Sequence, residues 1–185
     1  YGMYVSALDS LVTRVQGDMI DFTGMVGKTA GSAIAANGTD GDVDVHGMDI
    51  GFKLPVKLNT YVWRQVTHAT LANAVNANQE PNDYLWVYGL KLRGEAGGSW
   101  FHADASFNAG HNRPTPGGVN GDTTATTAPG RYTGKAFLLK AGYNADIPNI
   151  GGITPWANFG WGSGESNGND TTTDGYAAIT SDYRP

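Results

Sequence analysis

The chain has 185 residues, 16% of them charged, 40% apolar and 11% aromatic, with 27 glycines, no cysteine and a formal net charge of −5. That length is one domain's worth, and the missing cysteines exclude a disulfide framework, a thiolate nucleophile and thiol-held zinc. The acidic balance argues against a nucleic-acid partner, and no apolar run approaches the roughly 18 residues of a membrane-crossing helix.

In chain order, residues 1–8 and 17–28 read as a first strand pair, joined by a connection near residues 9–16, with Ile20, Phe22 and Val26 on one parity. Residues 46–54 place Met48, Ile50, Phe52 and Leu54 opposite Asp49 and Lys53; a turn at Pro55-Val56 leads into residues 58–67, rich in Thr, Tyr, Val and Trp. Residues 69–79 carry the single helix-like spacing, through Leu71, Ala74, Val75 and Asn78, enough for one or two turns within a loop. Residues 83–96 are the clearest segment. Tyr84, Trp86, Tyr88, Leu90 and Leu92 share one parity, and Lys91, Arg93 and Glu95 take the other. Gly97-Gly98 turns the chain, and the return sets Phe101, Ala103, Ala105 and Phe107 against His102, Asp104, Ser106 and Asn108. Residues 131–145 set Phe137, Leu139, Ala141 and Tyr143 against Lys140 and Asn144. Beyond a turn at 146–152, residues 153–163 set Ala157, Phe159 and Trp161 against Thr154 and Asn158.

The expected fold is therefore all-β: an antiparallel, up-and-down meander of about eight strands, with short turns at one end and long Gly/Asn/Thr loops at the other. Strands of about 10–14 residues exceed the globular mean of about 5–6, and about 11 residues tilted near 40° span some 28 Å, close to a hydrocarbon layer. Trp and Tyr near the strand ends suit a bilayer interface, and an apolar face mixing Ala and Gly with Leu and Phe suits fluid lipid better than an interdigitated core. A secreted β-sandwich with adhesive or carbohydrate-binding loops is the soluble alternative.

Such strands, typified by Asp83-Tyr-Leu-Trp-Val-Tyr-Gly-Leu-Lys-Leu-Arg93 and Gly134-Lys-Ala-Phe-Leu-Leu-Lys-Ala-Gly-Tyr143, resemble those of Gram-negative outer-membrane β-barrels, and most of all the porin and alginate-export-like barrels. The resemblance implies a single transmembrane barrel domain over residues 1–185 and a bacterial outer-membrane location. It also implies a lipid bilayer and small hydrophilic solutes as partners, with homo-oligomerisation left open. Barrels of that kind finish on a strand with a terminal aromatic, whereas this chain ends Tyr183-Arg184-Pro185 and opens without an initiating Met. It is accordingly expected to be a fragment lacking its closing strands, part of a wider barrel.

On that reading Trp86, Leu90, Leu92, Phe101, Phe107, Phe137, Leu139 and Phe159 face lipid, while Lys91, Arg93, Glu95, His102, Asp104, Asn108 and Lys140 line a polar pore. Mixed charges inside a barrel require either a wet lumen or mutual pairing into a plug, and a structural, plugged barrel whose loops contact a partner is the second alternative. His102 and Asp104 share a face, but catalysis would also need a nucleophile or activated water within hydrogen-bond reach, held in a pocket, and one i, i+2 pair does not supply that, so no enzyme is expected. His46, His68 and His111 fall near strand ends or loops and read as solvated. Asp40, Asp42 and Asp44 open like a calcium loop but lack its glycine and glutamate, and Asn167, Asn169, Asp170 and Asp174 form a second oxygen-rich cluster. No cofactor or resident metal is expected.

Overall fold

The computed structural model describes residues 8–29, 43–67, 83–112, 130–149, 151–164 and 172–177. The long strands are β1 (Leu8–Gln16), β2 (Ile20–Thr29), β3 (Val43–Phe52), β4 (Lys57–Thr67), β5 (Asp83–Ala96) and β6 (Ser99–Asn112). There follow β7 (Gly130–Tyr132), β8 (Lys135–Tyr143), β9 (Ala145–Ile147), β10 (Gly151–Ile153), β11 (Trp156–Gly162) and β12 (Thr172–Thr173). Eight of them, β1-β2-β3-β4-β5-β6-β8-β11, run as one antiparallel up-and-down sheet. β9 and β10 extend the last hairpin as a ribbon, and β7 and β12 add a short parallel pair beside β6. β1 and β11 do not pair with each other, so the sheet is not closed.

The tight turns share one end. Gly17 N–H donates to Ile20 O at 2.9 Å, residues 53–56 join β3 to β4, and Gly97 and Gly98 take φ of 56° and 85°, the left-handed values a two-residue hairpin turn needs. Residues 30–42, 68–82 and 113–129 connect strands at the other end and lie outside the described residues, as does the helix-like stretch at 69–79.

Four sequence boundaries move. The stretch near residues 9–16, expected to be a connection, is instead strand β1, in register with β2 along its length (Val12 opposite Met25, Val15 opposite Phe22). Its β-branched Val12, Thr13 and Val15 suit a pleated backbone, and the turn falls at Gly17. Residues 131–145 break at Thr133-Gly134, where Asn108 N–H reaches across to Gly134 O at 2.8 Å. Residues 153–163 break at Pro155, which has no N–H to give the ladder; its carbonyl still accepts from Tyr143 N–H at 3.0 Å. The expected turn at 146–152 gives up residues 146–147 to β9 and 151–152 to β10, and Asn149 between them takes φ 69°.

Candidate functional site

Register and strand alternation sort the side chains onto two faces. On one stand Tyr88, Leu90, Leu92, Phe107, Phe137, Leu139, Phe159 and Trp161, each at least 37% exposed. At about 40–50% of the 150–250 Å² such side chains carry, the patch is on the order of 700 Å², above the 300–600 Å² of the largest patch on a typical soluble monomer. Among the described residues no helix or second sheet layer covers it.

The other face carries the charged parity yet buries Met25, Val45, Tyr61, Leu85, Val87, Ser106 and Asn108. A single sheet buries side chains in this way on the inside of its curvature. Three rings lie down across it, each over its own cross-strand partner: Tyr61 over Gly89, Trp63 over Gly47 and Trp100 over Gly142. A Cβ at Gly89 would stand 2.6 Å from the Tyr61 hydroxyl, and one at Gly47 would stand 2.7 Å from the Trp63 ring. The glycines are the slots that let these rings lie flat.

Laid across Gly89, Tyr61 donates to Asp104 Oδ1 at 2.9 Å, and Lys91 Nζ sits 4.6 Å from the centre of the same ring. Asn59 donates to Asp49 Oδ1 at 2.7 Å, and Asp49 is the register partner of Tyr61 on its other side. Tyr61, Asp104, Ser106, Leu138 and Tyr176 border a cavity of about 250 Å³.

Towards the tight turns lies a basic row. Lys57, Arg93, His102 and Lys140 are successive register partners across β4, β5, β6 and β8. Lys140 Nζ lies 4.6 Å from the Trp156 ring centre, a cation–π contact rather than an ion pair. Among the described residues no carboxylate comes within ion-pair distance of Lys57, Arg93 or Lys140; the close pair is Lys53–Asp21, 3.0 Å, beside the turns.

Residues 172–177 fold back onto the inner face as a strap. Tyr176 OH and Ser106 Oγ are 2.8 Å apart, and the Asn108 amide is bonded twice to Ala177, donating to its O at 2.9 Å and accepting from its N–H at 2.7 Å. Ser163 Oγ donates to Asp174 O at 2.6 Å, and Tyr176 N–H donates to Ser163 O at 3.1 Å. Tyr176 and Ala177 thereby pack on the buried cluster of Tyr61, Leu85 and Val87. Burial pushes the Tyr176 phenol above its ordinary pKa, against the opposing effect of the Ser106 hydrogen bond.

The seven residues expected to line a pore all fall on this inner face, at different heights. Arg93, His102 and Lys140 share the basic row, Lys91 and Asp104 are partners one step away, and Glu95 stands opposite Trp100 one step the other way. Asn108 is buried and occupied by the strap. The eight expected to face lipid fall on the outer face, with Trp86 and Phe101 half-buried and Phe101 lying over Gly94. Asp49 and Ser106 are on the polar parity read from the sequence but outside the expected pore lining, and Lys57, Tyr61 and Tyr176 are not anticipated. Lys57 shares the parity of Asn59 and Tyr61, a readable signal, whereas nothing local marks Tyr176. His68, Asp40, Asp42, Asn167, Asn169 and Asp170 lie outside the described residues, among which no three His, Asp or Glu side chains converge as metal ligands.

The chain matches no protein-family model, no curated protein and no solved structure.

Proposed function

We propose that the sheet is part of a bacterial outer-membrane β-barrel, porin-like in function, whose inner face lines a water-filled passage for diffusion or export of small hydrophilic solutes. The observation that carries this reading is the row Lys57–Arg93–His102–Lys140, set side by side with no carboxylate among the described residues in ion-pair reach of its lysines and arginine. Within it Lys57 and Arg93 are like charges on neighbouring strands, which destabilise a sheet unless water screens them, so they argue for a wet lumen rather than a salt-bridged plug. The outer face supports the same reading. A broad apolar surface opposite a charged inner one is what lipid on one side and water on the other select. A sandwich would need a second layer over Leu90, Leu92 and Leu139.

Passage is passive: width and field decide what crosses, with no chemical step. The basic row makes anions the favoured solutes. Flat-lying Tyr61, Trp63 and Trp100, together with the strap, narrow the inner side. The plugged, partner-binding alternative draws on that strap and on the apolar packing around Leu85 and Val87.

The test is conductance of the full-length protein in a planar bilayer under a salt gradient. Channels with an anion-directed reversal potential support the proposal. Insertion without conductance favours the plugged barrel.

A further inference from the structure

The outer face changes character towards the long connections. Its middle rows, such as Val15–Phe22–Ile50–Thr60–Leu90–Ala105–Phe137–Trp161, hold no charge. Nearer the long connections, Arg64 stands between His46 and Trp86 in register, and the next row runs Tyr84, His111, Arg131. Arg64 Cζ lies 4.6 Å from the Tyr84 ring centre and 5.3 Å from that of Trp86. His111 meets Tyr84 edge-on at 4.9 Å. Arg64 Nε and His111 Nε2 are shielded from solvent and make no hydrogen bond.

A guanidinium whose flat face is held by rings and whose Nε is shielded presents its Nη end, which forms paired hydrogen bonds to an oxyanion such as phosphate. Neither register neighbour of Arg64 is a carboxylate; Asp44 stands diagonal to it, opposite Val66 in the row of Tyr84. Directly below, on the same face, Met48, Val62, Tyr88 and Phe107 form an apolar run that ends at Lys135, the register partner of Phe107. Cationic edge above and hydrocarbon surface below match an amphiphile with an anionic head and acyl chains.

We propose that Arg64, with His111 and Arg131 beside it, binds the phosphate headgroup of an anionic membrane lipid whose chains lie over Met48, Val62, Tyr88 and Phe107. This rests on reading the outer face as lipid-facing. The site orients the barrel by fixing one rim at headgroup depth.

The experiment uses the full-length protein in detergent and native mass spectrometry with three probes: phosphatidylglycerol, a diacylglycerol of the same chains, and inorganic phosphate. The wild type is expected to retain phosphatidylglycerol at least tenfold over diacylglycerol, with millimolar phosphate failing to displace it. Arg64→Gln and, independently, Arg131→Gln lower that ratio at least threefold, while Lys53→Gln, a cation at the tight-turn end, leaves it unchanged. Equal retention of the two lipids, an unaffected Arg64→Gln variant with native strand content by circular dichroism, or displacement by free phosphate overturns the lipid site. Flotation separates the two levels of the argument. Wild-type protein that floats with phosphatidylcholine vesicles yet shows no headgroup preference sinks this proposal alone, and protein that does not float sinks the membrane reading with it.

Discussion

Tyr61 crosses an entire strand to reach Asp104: its ring lies over Gly89 and its hydroxyl donates to the carboxylate at 2.9 Å, tying β4 to β6 above β5. The hydrogen bond exists because position 89 has no side chain. Gly89→Ala places a methyl against the ring's hydroxyl and the Ala105 carbonyl, so ring or strand must move, at a cost of about 1–3 kcal/mol. Tyr61→Phe keeps the ring and removes the hydroxyl, leaving Asp104 without its donor, for a loss of about 1–2 kcal/mol. Urea titration in detergent measures both; Gly89→Ala is expected to shift the unfolding midpoint at least as far as Tyr61→Phe.

The basic row gives a charge-selectivity prediction. Arg93→Glu places a carboxylate between Lys57 and His102, relieving repulsion while inverting the local field. On the proposed channel reading, anion preference is expected to fall, and more steeply at low salt, where the Debye length is long. Stability should change little, since Arg93 has no ion-pair partner to lose. Reversal potentials at two ionic strengths, with thermal melts alongside, check it.

The strap hangs on Asn108. Asn108→Ala removes both bonds to Ala177, about 2 kcal/mol at about 1 kcal/mol each, enough to raise the population of the detached strap about thirtyfold. Chymotryptic cleavage after Tyr176 is expected to accelerate by a similar factor, and single-channel conductance to rise.

Alkaline pH should release the same segment. The Tyr176 pKa is raised by burial, so the docked strap favours the protonated phenol. Docking is fully stable below the ordinary tyrosine value of about 10 and is lost as pH climbs through the raised one. Conductance in Tyr176→Phe, which cannot ionise there, should lack that alkaline rise.

How far the sequence led follows from what each feature depends on. Alternation is local, so the faces of β5 and β6 could be read from Tyr84-Leu-Trp-Val-Tyr and Phe101-His-Ala-Asp outright. β1 is missed because apolar Val12 shares the parity of Arg14 and Gln16 and blunts the alternation, although Val12, Thr13 and Val15 favour a strand. Register is not local. That Lys57 meets Arg93, or that Tyr61 meets a glycine, depends on turn lengths and on strand offsets across the sheet. The Tyr176–Ser106 contact joins residues far apart in the chain through a two-residue parallel bridge, too short to leave a periodic signal. Arg64 was visible as a charge on the apolar parity of β4, but its meaning required the rings of Tyr84 and Trp86 in place.

The outer face carries its own prediction. Leu139→Arg, in the middle of the apolar band, is expected to destabilise the protein in bilayers by about 2–4 kcal/mol, as for a cation placed at the membrane midplane of a barrel. Were that face in water, the same substitution would cost little.

The most direct test of the two-solvent account is a cysteine scan through residues 90–95 of β5, unobstructed because the chain has no native cysteine. Nitroxide labels on the full-length protein in vesicles report contact with lipid-soluble oxygen and with a water-soluble nickel chelate. The account predicts strict alternation, with positions 90 and 92 responding to oxygen and 91, 93 and 95 to nickel. Uniform nickel access at all six positions, or low access of both quenchers at 90 and 92, would contradict it.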